Sequence, residues 1–299
     1  MLSLIEWAKL NPQPLQSGVV EIFARENPVL ERLAFQNIAG SAYKYNIETT
    51  LPGVAFRDFN ESYTESTGVV NPATESLKIL GGDSDFDVAL VAMGVGSNDN
   101  RAIHDGLKSK AMTLSWLSTF FDGDSGANAK EFDGLNTRLT GNQVITAGTN
   151  GAVLDMDMLD VLVDSVIGTP SVLLMNKTMR REIVKLARTS NVLSIGRDYF
   201  GREVQQYGGV PIAVIEEDSA GNDILGFDET VGSSDITSSI YAVKFGADAL
   251  HGIQTQPMSV RDLGELDSKP SLRTRTEWYS GLVLKYPKCP ARLQGVLAS

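Results

Sequence analysis

Two runs of alternating polarity flank a polar stretch in the first third of the chain. In SAYKYNIETTLPGVAF (residues 41–56), Tyr43, Tyr45 and Ile47 share one face, and Lys44, Asn46 and Glu48 share the other. In SLKILGGDSDFDVALVA (76–92) a second alternation runs through Phe86, Val88 and Leu90. Between them, only five of the twenty residues at 57–76 are apolar: Phe59, Tyr63, Val69, Val70 and Ala73. Period-two patterning on both sides of a polar tip predicts two antiparallel legs joined by a loop. Legs of roughly fifteen to twenty residues would reach ~50–65 Å, whereas a compact chain of this size has a radius of gyration of ~19 Å. Such a hairpin overshoots its own domain, and an isolated two-stranded ribbon is marginal in water. It needs a support, and the support this pattern points to is another copy of the same chain.

The remaining pattern predicts an arm, a long helix, an α/β region and a β tail. Residues 1–40 hold two short amphipathic pieces, the second interrupted at Asn27–Pro28 because proline disfavours helix in its predecessor. Asn98 or Asp99 offers an N-cap for a helix with Ile103, Leu107, Ala111, Leu114 and Leu117 or Ser118 at helical spacing, ending at Asp122–Gly123. At ~30–35 Å this helix is long enough to act as a spine. In the α/β region, LDMDMLDVLVDSVIG reads as a helix stopped by Gly168 and Pro170, and SVLLM as a buried strand. NKTMRREIVKLARTS is a second helix with Met179, Ile183 and Leu186 inward, and VPIAVIEED and SIYAVKFG are further strands. In the tail, Trp278, Leu282 and Leu284 face one way while Arg273, Arg275 and Glu277 face the other.

Composition narrows the function. The 299 residues carry 42% apolar positions, enough for a real core in one large or two modest domains. Asp and Glu outnumber Lys and Arg 37 to 26, for a net charge of −11, which argues against tight wrapping of nucleic acid but not against enclosing it. One cysteine, Cys289, cannot form an internal disulfide and fits a reducing compartment. The first residues, MLSLIEWAKLN, include Glu6 and Lys9 and form no signal-peptide core, and no apolar run approaches the ~20 residues of a membrane span. A soluble protein made in the cytoplasm is expected.

Candidate chemistry is sparse. Gly123-Asp124-Ser125-Gly126 resembles the nucleophile string of chymotrypsin-like serine proteases, but Ala127–Asn128 follow where that family has Gly–Pro. A triad also needs a base, and the two histidines, His104 and His251, lie in a predicted helix and after the serine in sequence. A helix end followed by a polar loop explains the same four residues. Asp83, Asp85 and Asp87 imitate a calcium loop, yet the sixth and twelfth positions hold Val88 and Gly94. On a strand they simply share a face, and a loose calcium contact at an assembly interface is the alternative. Gly94-Val95-Gly96 lacks the third glycine of a dinucleotide loop. Asp160 and Asp164 read as a solvated helix face. The Arg273, Arg275 and Glu277 face reads as an anion site, as a solvated face, or as one salt-bridged to a neighbour. No catalytic site, cofactor or transition-metal site emerges.

Arm, protruding hairpin, spine helix, α/β region and returning β tail, in that order, resemble the major capsid proteins of tailed bacteriophages, the HK97-like fold. The strings that carry the resemblance are LPGVAFRDFNESY, ESLKILGGDSDFD, EFDGLNTRL, LLMNKTMRREI, YGGVPIAVIEED, SIYAVKFGADALHGI and RTRTEWYSGLVLKYP, and they span essentially the whole chain. The resemblance implies an α+β chain with an N-terminal arm at 1–40 and an extended β-hairpin, the E-loop, at 41–92. It implies a peripheral P-domain of spine helix and β tail at 93–130 and 256–299, and an axial A-domain at 131–255. It implies a non-enzymatic subunit that assembles into hexamers and pentamers of an icosahedral head enclosing DNA without sequence-specific binding and without a membrane. The expected subunit interface includes Arg57, Asp58, Phe59, Glu61, Tyr63 and Glu65 on the hairpin, and Arg273, Arg275 and Glu277 on the tail. A separate scaffolding protein, a portal protein and a decoration protein are the further partners implied. Lys78, the only lysine between Tyr45 and Lys108, sits at the hairpin base, so subunit cross-linking chemistry is not carried over. An encapsulin-type nanocompartment shell is the alternative on the same fold; a serine hydrolase using Ser125 is the distant one.

Overall fold

A computed structural model describes residues 27–89, 97–190, 193–197 and 203–298. The first amphipathic piece of the arm and Gly94-Val95-Gly96 lie outside the described residues. Helix α1 (Pro28–Arg32) starts where the second piece was expected to break. The Asn27 carboxamide oxygen accepts from the Val29 and Leu30 amides at 2.9 and 3.2 Å, and Pro28 occupies the first turn, where its missing N–H costs nothing. Val29, Leu30 and Leu33 are fully buried, so this segment is part of the core.

Strand β1 (Phe35–Asn37) leads into the hairpin β2 (Ala42–Thr50) and β3 (Val69–Ser76), which pair antiparallel from Ala42↔Ser76 to Thr50↔Val69. The paired legs are shorter than the alternation predicts. The second alternating run is not the hairpin's returning leg. It is β4 (Lys78–Asp87), which leaves the hairpin and pairs along ten residues of the tail strand β15 (Lys269–Leu284), from Ser271↔Asp87 to Ser280↔Lys78.

Strand β15 organises the first sheet. On one side lies β4. On the other, β14 (Ser259–Leu266) and then β13 (Leu250–Gln254) follow one another, with β1 parallel to β13 at the edge. The pairing Phe35↔Gly252 lays the Phe35 ring over the glycine, and a Cβ there would meet the ring at 2.3 Å, so only glycine fits. The spine helix α2 (Ser97–Asp122) packs on this sheet. Its buried face carries Asp105, Ser109, Met112, Thr113, Trp116 and Phe120, whereas Ile103 and Leu107 are each 58% exposed. The phase read through Ile103 and Leu107 is therefore wrong for the first half of the helix. The Ser109 and Thr113 hydroxyls donate to the Asp105 and Ser109 carbonyls one turn back, at 2.9 and 3.0 Å, so these polar side chains can face the interior satisfied. Trp116 stacks on Phe120 and lies 5.8 Å from Trp278, which itself lies 5.1 Å from Phe35.

The helix stops at Gly123, where a Cβ would meet the Phe132 carbonyl oxygen at 2.2 Å. After the short helix α3 (Leu135–Arg138) and strands β5 (Val144–Thr146) and β6 (Ala152–Val153) comes helix α4 (Met156–Asp164). Strand β7 (Val172–Met175), helix α5 (Lys177–Ser190), β8 (Leu193–Arg197), β9 (Glu203–Tyr207) and β10 (Val210–Val214) follow. Strands β11 (Glu229–Val231), β12 (Ser234–Val243) and β16 (Pro290–Leu297) complete a nine-stranded sheet of order β5-β16-β12-β7-β10-β9-β8, with β6 and β11 flanking. One face of this sheet, through Leu173, Met175, Ile240 and Ala242, packs with Leu159 and Leu162 of α4 and Met179 and Ile183 of α5. The opposite face, through Leu174 and Tyr241, meets Phe121 at the end of the spine. Continuous burial of β7 on both faces accounts for its unbroken apolar run.

Candidate subunit interface

The hairpin tip, residues 51–68, carries apolar side chains that the body of the subunit leaves exposed. Phe56 and Phe59 are 106% and 93% exposed, and Leu51, Val54 and Tyr63 are exposed beside them. The tip nevertheless has a defined shape. The Asp58 amide donates to the Glu61 carboxylate at 3.0 Å, Arg57 donates to the Glu61 carbonyl at 3.2 Å, and its guanidinium sits 5.3 Å over the Tyr63 ring. Asn60 turns the chain at φ 68°, a left-handed conformation that asparagine tolerates, and the Gly53 amide donates to the Ser66 hydroxyl at 2.8 Å across the loop. Arg57, Asp58, Phe59, Glu61, Tyr63 and Glu65 are thus gathered on one exposed projection. An exposed apolar cluster on a polar rim is the signature of a surface made to be covered.

The hairpin root, by contrast, is fixed to the body. Tyr45 packs with Ile253 and Val283 on the first sheet, and Tyr43 lies edge-on to His251, with the Lys285 ammonium 5.9 Å from its ring. Arg138 of α3 donates to both Glu75 carboxylate oxygens, at 2.6 and 2.9 Å, and to the Leu282 carbonyl at 3.0 Å. Burial and the nearby Glu75 carboxylate push the Tyr45 hydroxyl up to about 12. This clamp was missed in the sequence, where Arg138 is a lone arginine 63 positions from its partner.

The charged face of β15 finds partners within the chain. Arg273 forks onto Asp85 at 2.6 and 2.8 Å, and Arg275 onto Asp83 at 2.7 and 2.8 Å. Lys269 adds to Asp85, and Arg261 pairs with Glu277. The Arg275 guanidinium holds the Asp83 carboxyl below the usual carboxylate range, and Arg273 with Lys269 does the same for Asp85. These two aspartates, read as a partial calcium loop, are occupied by guanidinium groups. No cluster of His, Cys, Asp and Glu among the described residues has the arrangement to hold a metal. At the GDSG string, the Ser125 amide donates to Asp133 at 2.8 Å and the Gly126 amide to Asp124 at 2.8 Å, forming the turn that follows the spine helix. His251 is fully buried in β13, and His104 lies on α2 beside Phe86. No helix among the described residues is long and apolar enough to cross a membrane.

A clamped hairpin root, a projecting tip, a spine helix on one sheet and a larger α/β sheet beside it make up the HK97-like fold. The capsid of a native GTA particle superposes with TM-score 0.66 at 13% identity, covering 92% of this chain and 90% of that one. The SrpI encapsulin of Synechococcus elongatus PCC 7942 superposes with TM-score 0.65 at 15% identity, covering 91% and 88%. The capsid of cyanophage A-1(L) gives 0.62 at 14% identity, covering 90% and 93%. Residues 11–157 match the family model described as Major capsid protein GP7. The chain thus has the HK97-like fold of phage capsid and encapsulin subunits, and just under half of it is similar in sequence to that major capsid protein family. No curated protein matches it.

Proposed function

We propose that the subunit closes its shell by laying the hairpin of residues 41–92 across an adjacent copy, as the E-loop. The observation that carries this is the contrast along one hairpin: a root held by Arg138–Glu75 and Tyr45, and a tip exposing Phe56, Phe59 and Tyr63. Each such side chain is worth roughly 1.5–3 kcal/mol once fully covered. The tip residues Arg57, Asp58, Glu61 and Glu65 form the polar rim of that contact. Arg273, Arg275 and Glu277 belong to the same proposal as a charged ladder. Pairing with β4 and β14 largely neutralises it, so it meets a neighbour as a stiffened edge and supplies few free charges.

In this reading residues 1–40 form the arm, 93–130 and 256–299 the P-domain, and 131–255 the A-domain around the capsomer centre. The acidic balance suits a container that holds DNA without gripping it. A scaffolding protein, a portal and a decoration protein are the partners this role calls for, and the subunit itself carries no catalytic step.

Negative-stain electron microscopy with light scattering of the purified chain, alone and co-expressed with a scaffolding partner, tests the role. Closed shells of tens of nanometres are expected. DNA or scaffold inside them supports the phage head, and a cargo enzyme inside would shift the reading to an encapsulin-type compartment. Monomers under both conditions would overturn it.

A further inference from the structure

Helix α5 is basic in a chain that is strongly acidic. Its exposed positions include Lys177, Arg180, Arg181, Lys185 and Arg188, and its inward positions are Met179, Glu182, Ile183 and Ala187. Lys177 pairs with Glu216 at 3.0 Å and Lys185 with Glu182 at 3.5 Å. Arg180, Arg181 and Arg188 have no ion-pair partner among the described residues. These side chains line a groove of about 760 Å³ that runs to Gln205 and Val214.

A second groove, of about 390 Å³, has the opposite character. Asp122, Asp218, Asp223, Asp228 and Glu229 line it, against the single guanidinium of Arg292, which pairs with Glu229 at 2.5 Å. It lies on the other face of the same sheet. Ser239, Tyr241 and Arg292 line it, whereas their strand neighbours Ile240, Ala242, Ala291 and Leu293 point to the face that α5 covers. The nine-stranded sheet therefore carries a cationic groove on one face and an anionic groove on the other.

We infer that the basic face of α5 docks into the acidic groove of a second copy of this chain. The inference rests on the shell-subunit reading and assigns one contact within the capsomer. Two copies stacked face to back bring unlike grooves together, and a heterologous contact of this kind repeats around an axis until it closes into a ring. With net charge −11, two copies repel in most orientations. Arg180, Arg181 and Arg188 on the α5 face, without an ion-pair partner among the described residues, favour one approach over the others. Phosphate is the other polyanion that five basic side chains would attract, but the matching carboxylate groove on the same molecule favours the copy.

The test is a charge swap in the full chain, read by native mass spectrometry for capsomer rings and by electron microscopy for shells. R181E/R188E and D223K/D228K are each expected to lower ring yield by about tenfold or more, equivalent to about 1.4 kcal/mol or more. Both should melt close to the wild type, because none of the four side chains has an ion-pair partner to lose among the described residues, and Lys177, on which Asp223 acts at longer range, keeps its direct partner Glu216 at 3.0 Å. The quadruple variant is expected to recover rings. Wild-type-like rings from both double variants, or a quadruple variant no better than either, overturn the contact while wild-type shells leave the shell reading intact. Variants that assemble normally but lose packaged nucleic acid overturn it in favour of a phosphate-binding face. A wild-type chain that stays monomeric overturns the shell reading and the contact together.

Discussion

Arg138 grips both carboxylate oxygens of Glu75, at 2.6 and 2.9 Å, and spends a third hydrogen bond on the Leu282 carbonyl at 3.0 Å. The arginine side chain is 9% exposed and the glutamate 20%. Glu75 is on the returning leg of the hairpin and Arg138 is in the short helix after the spine, so one fork joins hairpin, helix and the central strand of the first sheet. Breaking a largely buried pair from one side leaves a charge without compensation, a loss of ~3–5 kcal/mol. Arg138→Met is expected near the lower end, about 3 kcal/mol by urea denaturation, because Glu75 retains some water. Amide exchange in β2 and β3 should accelerate in the same variant. A loss below about 1 kcal/mol with unchanged exchange would mean the clamp does not hold the root.

Trp278 is expected to matter for folding rather than assembly. It is fully buried between Phe35 and Trp116, and its indole N–H donates to Gln254 at 2.9 Å. Trp278→Ala should cost ~3–5 kcal/mol from the cavity alone, with a further penalty for the stranded Gln254 oxygen. Soluble Trp278→Ala protein with a wild-type melting curve would contradict this placement.

Which parts of the fold could be read from sequence follows from the physics of each element. The first hairpin leg was legible because Tyr43, Tyr45 and Ile47 alternate cleanly with polar residues. Its partner was misassigned because VVNPATES alternates weakly and contains Pro72, which the ladder of a two-stranded hairpin tolerates opposite Asn46. The stronger alternation of β4 belonged to a different sheet. Spine phase was lost where Ile103 and Leu107 face out and hydroxyls satisfied within the helix face in. The Trp278 face was legible from period two alone. The partners of Arg273 and Arg275 were not, because alternation on two strands fixes which faces are charged but not which register joins them across 188 and 192 residues. At the candidate interface, the exposed tip was readable as a polar loop with isolated aromatics. The two charged grooves were visible only as scattered residues until the sheet placed them back to back.

His251 gives the fold a measurable acid limb. Burial first, and then the Lys285 ammonium, push its pKa down to about 4, against the partial opposition of the Ala249 carbonyl and Asp248. Tyr43 packs against it from the hairpin. An unfolded histidine titrates near 6.5, so between about 6.5 and 4 the unfolded chain binds the proton that the folded chain refuses. The contribution is full above about pH 6.5 and is lost as pH falls toward 4, roughly 3 kcal/mol in all. The Asp83, Asp85 and Asp133 carboxyls are held below the ordinary carboxylate value, so their own losses fall at lower pH. Urea denaturation at pH 7, 5.5 and 4.5 should show wild-type stability falling more steeply than that of His251→Gln. Parallel slopes would remove His251 as the cause.

Hairpin truncation separates folding from assembly. Thr50 and Val69 are the last pair of the β2–β3 ladder, so residues 52–67 can be replaced by an Asn-Gly turn without touching a paired strand residue. Everything that holds the root remains: Tyr45 against Ile253 and Val283, and Arg138 on Glu75. The removed side chains are exposed in the monomer, so the variant should melt within a few degrees of the wild type, on the order of 1 kcal/mol. What disappears is the covering surface of Leu51's neighbours Val54, Phe56, Phe59 and Tyr63, several contacts at ~1.5–3 kcal/mol each once buried on another copy. Shell formation should therefore be abolished in a folded protein, as read by electron microscopy beside circular dichroism. The milder pair Phe56→Asp and Phe59→Asp should reduce particle yield without changing the melting curve, since neither ring packs on its own chain. Normal particles from the truncated protein would mean that the tip covers nothing in the shell, and the assembly role would then have to rest on the body of the subunit.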